Sequence, residues 1–317
     1  MAKYRHALPQ LDGGLFLSDG GMETALIFLQ GVELPHFASF VLLADEAGRA
    51  QLVRYYEHFL PIAARRGLGF VLDAATWRAN PDWGKLLGYD AARLKEANFS
   101  AVDLVAALRA KWERPGMPIV LNGVIGPRGD GYKAGRMEAD EAQDYHAAQV
   151  VTFADSEADM VSAITMNTVN EAVGIARAAN AAEMPCVVSF TVETDGRLAD
   201  GTTLRAAVEA TEEATGGSPA YYMVNCAHPT HFEHALKRGE AWVKRIRGVR
   251  ANASAKSHAE LDEAETLDIG DVADLGRRYH ALTRAFPSMR VLGGCCGTDH
   301  RHLAAICEAC APSVAAA

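Results

Sequence analysis

Residues 290–300 read RVLGGCCGTDH: an apolar run, two glycines, the neighbouring thiols of Cys295 and Cys296, a third glycine and a polar helix start. Adjacent side chains of an extended chain point apart, so two such thiols face one point only where the backbone bends. Gly293, Gly294 and Gly297 permit that bend. A third cysteine, Cys226, closes another apolar run, AYYMVNC (220–226). Zinc takes cysteine thiolates tetrahedrally, and a reactive site keeps three protein ligands with the fourth position open. Cys226, Cys295 and Cys296 supply that count. Such a site activates a thiol: the thiolate is the nucleophile, a free thiol ionises only near about pH 8.5, and a coordinating metal deprotonates it outright. A lone cysteine is commonly a small buried hydrophobe. The doublet with a matching third strand end is what favours metal. A disulfide between the neighbours is disfavoured, since bridged residues need Cα separations of about 4.4–6.8 Å that adjacent ones reach only with strain.

For the three thiols to meet, their runs must end at the same place. Eight short apolar runs recur along the chain, at 14–21, 68–76, 118–126, 159–165, 185–191, 220–226, 248–254 and 290–296. They lack strict alternation, as strands of a parallel sheet covered on both faces do. Between them lie segments with apolar residues at i, i+3 and i+4, such as 49–67, 91–112 and 141–158. Eight alternating units predict an α/β fold of the (β/α)8 TIM-barrel type in a single domain. A doubly wound sheet is the alternative, but its usual five or six strands leave units over. The barrel is expected over residues 1–312, with 313–317 a frayed tail. In a barrel, chemistry sits at the C-terminal ends of the strands, and Cys226, Cys295 and Cys296 end theirs.

The net charge of -9 argues against nucleic acid, whose phosphates need clustered Lys and Arg. No apolar run is long enough for a transmembrane helix. The opening MAKYRHALPQLDGG lacks the apolar core of a signal peptide, so a cytoplasmic location is expected. Six cysteines in 317 residues are too sparse for a disulfide scaffold. Neither a Ser/His/Asp set nor a GxGxxG after a strand is present, which points away from Rossmann-type nucleotide binding. A small-molecule thiol is the partner such a site suits, with oligomeric state open.

Three motifs, SDGGMETAL (18–26), VNCAHP (224–229) and GGCCGT (293–298), with a weaker match at SFTVETDGRLADGTTL (189–204), resemble the homocysteine S-methyltransferase family over essentially the whole chain. This is the zinc barrel shared with betaine–homocysteine methyltransferase. The resemblance implies Zn2+ on Cys226, Cys295 and Cys296, and Asp19 as the acid facing the amino-acid substrate. It further implies methyl transfer from a sulfonium or betaine-type donor, S-methylmethionine foremost, to the thiolate of L-homocysteine, giving methionine. Gly20, Thr76, Trp77, Arg78 and Asn225, at or beside strand ends, are the further candidate substrate contacts. An aromatic face at Trp77 suits an onium methyl group.

Two positions depart from the family pattern. Ile164 stands where relatives commonly carry a glutamate that grips the homocysteine ammonium. Arg78 stands where betaine-using relatives have an aromatic donor contact, and a guanidinium pairs with a carboxylate instead. The seventh run, RANAS, lacks the family's proline but keeps Asn252. These departures raise two alternatives: the same chemistry on another small thiol or from an anionic onium donor, or a non-catalytic zinc- or thiol-binding barrel. Other clusters are expected to be bland. On a helix, His228 and His234 would lie about 240° apart around the axis and cannot share an ion. Cys307 and Cys310 on the last helix, and Cys186 in a strand, read as core. The segment GDGY (129–132) either covers the barrel mouth or is a simple turn.

Overall fold

The computed structural model describes residues 2–311. The expected tail at 313–317, and the domain limit at 312, lie outside the described residues. Eight strands form a closed barrel in sequence order. They are β1 Phe16–Leu17, β2 Gly69–Asp73, β3 Ile119–Ile125, β4 Met160–Met166, β5 Cys186–Phe190, β6 Tyr221–Asn225, β7 Ile246–Ala251 and β8 Val291–Gly294. All pairings are parallel, and Phe16 is matched on one side by Gly69 and on the other by Val291, which closes the ring. Closure excludes the doubly wound sheet. Every strand residue except Arg247 is buried, the reason the runs do not alternate.

The helices fall where the periodicity puts them, with boundaries set by local chemistry. Ala91–Trp112 is one continuous helix, capped by Asp90, whose side chain accepts from the Arg93 N–H. The stretch 49–67 divides into Glu46–Glu57 and Leu60–Arg66, because Pro61 lacks the N–H that an uninterrupted helix would use. The segment 141–158 is helical over Ala139–Ala154 and then turns into β4.

Apolar packing occurs in two layers. One joins the strands to the surrounding helices; the other fills the barrel, with Phe16, Val71, Val120, Met160, Val187 and Met223 among its members. Leu8, from the segment before β1, packs into the interior layer. Asp159, fully buried at the start of β4, fixes that segment. It accepts from the Lys3 and Tyr4 N–H groups, each at 2.7 Å, and from Arg109 and the Leu121 N–H, each at 2.8 Å. The N-terminal segment therefore stops the end of the barrel away from the strand C-termini. No helix of the described residues is long and apolar enough to cross a membrane.

Candidate active site

Cys226, at the end of β6, and Cys295 and Cys296, after β8, converge as the two runs suggested. Their Sγ atoms all lie within 4.8 Å of one another. Cys226 and Cys295 are joined as a disulfide with Cα atoms 5.3 Å apart, and Cys296 is a free thiol beside them. The bridge thus spans two strand ends rather than the adjacent pair. Among the described residues this is the one cluster of three His, Cys, Asp or Glu side chains able to share an ion.

The backbone is bent on both sides of the cluster. Cys226 holds a φ of 51°, unusual for a residue with a Cβ and a form of local strain. Its carbonyl is pinned by three donors: Asn252 Nδ2 at 3.0 Å, His258 Nε2 at 2.6 Å and Thr191 Oγ1 at 3.4 Å. After the doublet, Gly297 has a φ of 78°, and a Cβ there would meet the Asp268 carbonyl at 2.6 Å. Gly293 and Gly294 have ordinary φ values; they are required for space, since a Cβ on either would collide with Ser18 or Thr298.

A cavity of about 440 Å³ opens above the cysteines at the barrel mouth, within the range of small-molecule sites. Asp19, Gly20, Thr76, Trp77, Arg78, Ile164 and the three cysteines all line it. Its floor carries a network absent from the sequence reading: Arg250, on β7, forks between Asp19 and Asp73, and Tyr55 donates to the other oxygen of Asp19 at 3.1 Å. Burial, with the neighbouring Asp73, pushes Asp19 up to about 7, against the pull of Arg250 and the Tyr55 hydrogen bond. Two carboxylates against one guanidinium leave the floor acidic.

The homocysteine S-methyltransferase family model matches residues 16–310. The chain belongs to that family. It is an enzyme of the family, one whose members methylate homocysteine. Solved structures of the homocysteine methyltransferase MmuM from Escherichia coli have the same fold. The oxidised form is 23% identical with a TM-score of 0.73, over 96% of this chain and 98% of that one. The metallated form is 21% identical with a TM-score of 0.71, over 96% and 99%. No curated protein sequence matches the chain.

Ile164 lines the cavity and offers no charge there. A bulge in β4 between Ala163 and Met166 places Thr165 at a φ of 65° beside it. Thr76 spends its hydroxyl on the Val124 carbonyl at 2.7 Å, tying the second loop to β3. Gly20 packs under Thr298, whose carbonyl a Cβ would meet at 2.7 Å. Asn225 lies outside the cavity lining: its Oδ1 accepts from the Thr165 N–H and Ser189 Oγ, and its Nδ2 donates to Thr165 Oγ1. It braces β4 and β5 against β6.

The segment 129–132 does cover the mouth. Asn167 donates to the carbonyls of Asp130 and Lys133, and the Tyr132 hydroxyl comes within 3.5 Å of Cys296 Sγ. The Tyr132 ring stacks on His258 at 4.1 Å, so one histidine touches both the cover and the Cys226 carbonyl. The other histidines of interest stay apart from the thiols. His228 caps the four-residue helix Pro229–Phe232, His231 bonds to the Ala255 carbonyl, and His234 lies in the following turn. Cys186 and Cys307 are buried free thiols in the strand–helix layer, and Cys310 packs against it.

Proposed function

We propose that the chain transfers a methyl group from a sulfonium or betaine-type donor, S-methylmethionine being the best candidate, to the thiol of homocysteine, giving methionine. In this reading Cys226, Cys295 and Cys296 hold a zinc ion. The observation that carries it is the meeting of three thiols on the wall of the cavity at the barrel mouth. Tetrahedral zinc with sulfur ligands at about 2.3 Å needs sulfurs about 3.8 Å apart. The present separations allow this once the Cys226–Cys295 bridge is reduced. An all-thiolate donor set is soft, which favours zinc over the hard cations. A zinc ion held by these residues would supply an electrophilic centre that lowers the pKa of a thiol bound to it.

The protein's own groups do the rest. His258, Asn252 and Thr191 hold the strained Cys226 in place, and Tyr132 covers Cys296. Asp19 faces the cavity from a floor of two carboxylates and one guanidinium, and its ionised form suits the acceptor's ammonium. Gly20, Thr76 and Trp77 shape the adjoining wall. A reducing compartment such as the cytoplasm suits the chemistry, because the thiols must stay free for the ion. Ile164 favours a second reading, in which the acceptor is another small thiol without an ammonium group.

The test is methionine formation by reduced, zinc-loaded protein given homocysteine with S-methylmethionine, betaine or S-adenosylmethionine. Turnover with homocysteine supports the first reading. Turnover confined to another thiol selects the second, and none with any pair rejects both.

A further inference from the structure

Trp77 and Arg78 follow β2, and the Arg78 guanidinium lies over two indoles, 4.1 Å from the Trp77 ring centre and 3.9 Å from that of Trp83. One amino group donates to the Gly129 carbonyl at 2.8 Å, fixing the plane. The residue is only 8% exposed and lines the cavity, yet its Nε has no hydrogen-bond partner. It joins no ion pair among the described residues; Asp130 and Glu23 act on its charge only from a distance. Arginine cannot shed its proton, and a buried cation without an anion is costly. The stacking and the carbonyl contact hold a planar fork ready while leaving its charge unanswered.

Such a fork matches a carboxylate. We propose that Arg78 anchors the carboxylate of the methyl donor, which makes the donor an onium acid and sets the enzyme's specificity against uncharged or cationic donors. This rests on the reading of the cavity as a methyl-transfer site. The Trp77 face toward Arg78 is occupied by the guanidinium, so the indole's part is to orient the fork rather than to receive the onium methyl on that side. The onium centre, repelled by Arg78, is held away from it by the donor's own carbon spacer. The acidic floor and the cysteines lie in the same cavity.

The experiment pairs each donor with its methyl ester: S-methylmethionine, dimethylsulfonioacetate and glycine betaine as acids, and their esters. Binding is read from the fluorescence of Trp77 and Trp83, and turnover from methionine formation. Wild-type protein should prefer at least one acid over its ester by about thirtyfold or more, in Kd and in KM rather than kcat. Arg78→Met should erase that preference, and Arg78→Lys, which keeps charge but loses the fork and stacking, should retain only part of it. Equal affinity for acid and ester in the wild type, or an undiminished preference in folded Arg78→Met, overturns the proposal. Absence of methyl transfer despite a preference for acids in binding would instead overturn the reading of function and leave the anchor standing.

Discussion

Replacing Arg250 by Met tests whether the floor of the cavity is an ion network held by one cation. The substitution keeps an unbranched chain of similar length but removes the only charge opposing Asp19 and Asp73 there. Wild-type Asp19 already sits at about 7, above its ordinary 3.8. The folded state therefore binds a proton that the unfolded chain releases, and this group makes stability fall as pH rises from about 4 to 7. In the variant Asp19 also loses the Coulombic pull and the hydrogen bond of Arg250, so it holds its proton more tightly on folding and the fall of stability with rising pH steepens. Breaking a buried ion pair costs roughly 3–5 kcal/mol, which sets the loss expected at pH 7. The loss should be smaller at pH 5. Urea unfolding monitored by tryptophan fluorescence at pH 5, 6 and 7 measures both slopes. A variant within about 1 kcal/mol of wild type at pH 7, or a difference that does not change with pH, would refute the network.

Removing the His258 ring with Ala takes away one donor to the Cys226 carbonyl and the platform under Tyr132. Zinc affinity, measured by chelator competition, should fall about 10–100-fold with little change in fold, as for other groups that orient metal ligands. Introducing Glu at Ile164 places a carboxylate on the cavity wall; the KM for homocysteine should fall about fivefold or more, a charge-assisted hydrogen bond being worth about 1.5–3 kcal/mol less the new desolvation. An unchanged KM would favour an acceptor without an ammonium. Asp159→Ala should destabilise by about 3 kcal/mol or more, because Arg109 loses its buried partner and the N-terminal plug loses its anchor; thermal unfolding and proteolysis near residue 11 report it.

The fold was largely legible because a parallel barrel writes each strand as an uninterrupted apolar run and each helix as a 3.6-residue period. Strand β1 is only two residues long, although the Ser18 N–H and the Asp19 carbonyl beyond it still bond to Leu292 and Gly294 of β8. The three cysteines were legible because each closes a strand, and strand ends of a barrel share one mouth. The Arg250–Asp19–Asp73 network was missed, although a signal existed: Asp73 in GFVLD and Arg250 in IRGVRA are charges inside buried runs, affordable only as partners. Their pairing, 177 residues apart, carries no local pattern. His258 gave no warning, since it opens the five-residue helix His258–Asp262, whose place over the mouth depends on its neighbours; Tyr132 lies in the GDGY segment, where covering the mouth was one of two readings and its side chain was given no role. Gly293 and Gly294 were read as bends and serve as clearances, a distinction made by Ser18 and Thr298.

The most direct test is metal analysis and X-ray absorption on protein purified and kept under reducing conditions with zinc. The account predicts about one zinc per chain, bound by three sulfurs and one lighter atom, with the lighter atom replaced by a fourth sulfur when homocysteine is added; Cys296→Ala should bind the metal far more weakly. Fully reduced protein that retains no metal, or zinc bound equally well without Cys226, Cys295 or Cys296, would contradict it.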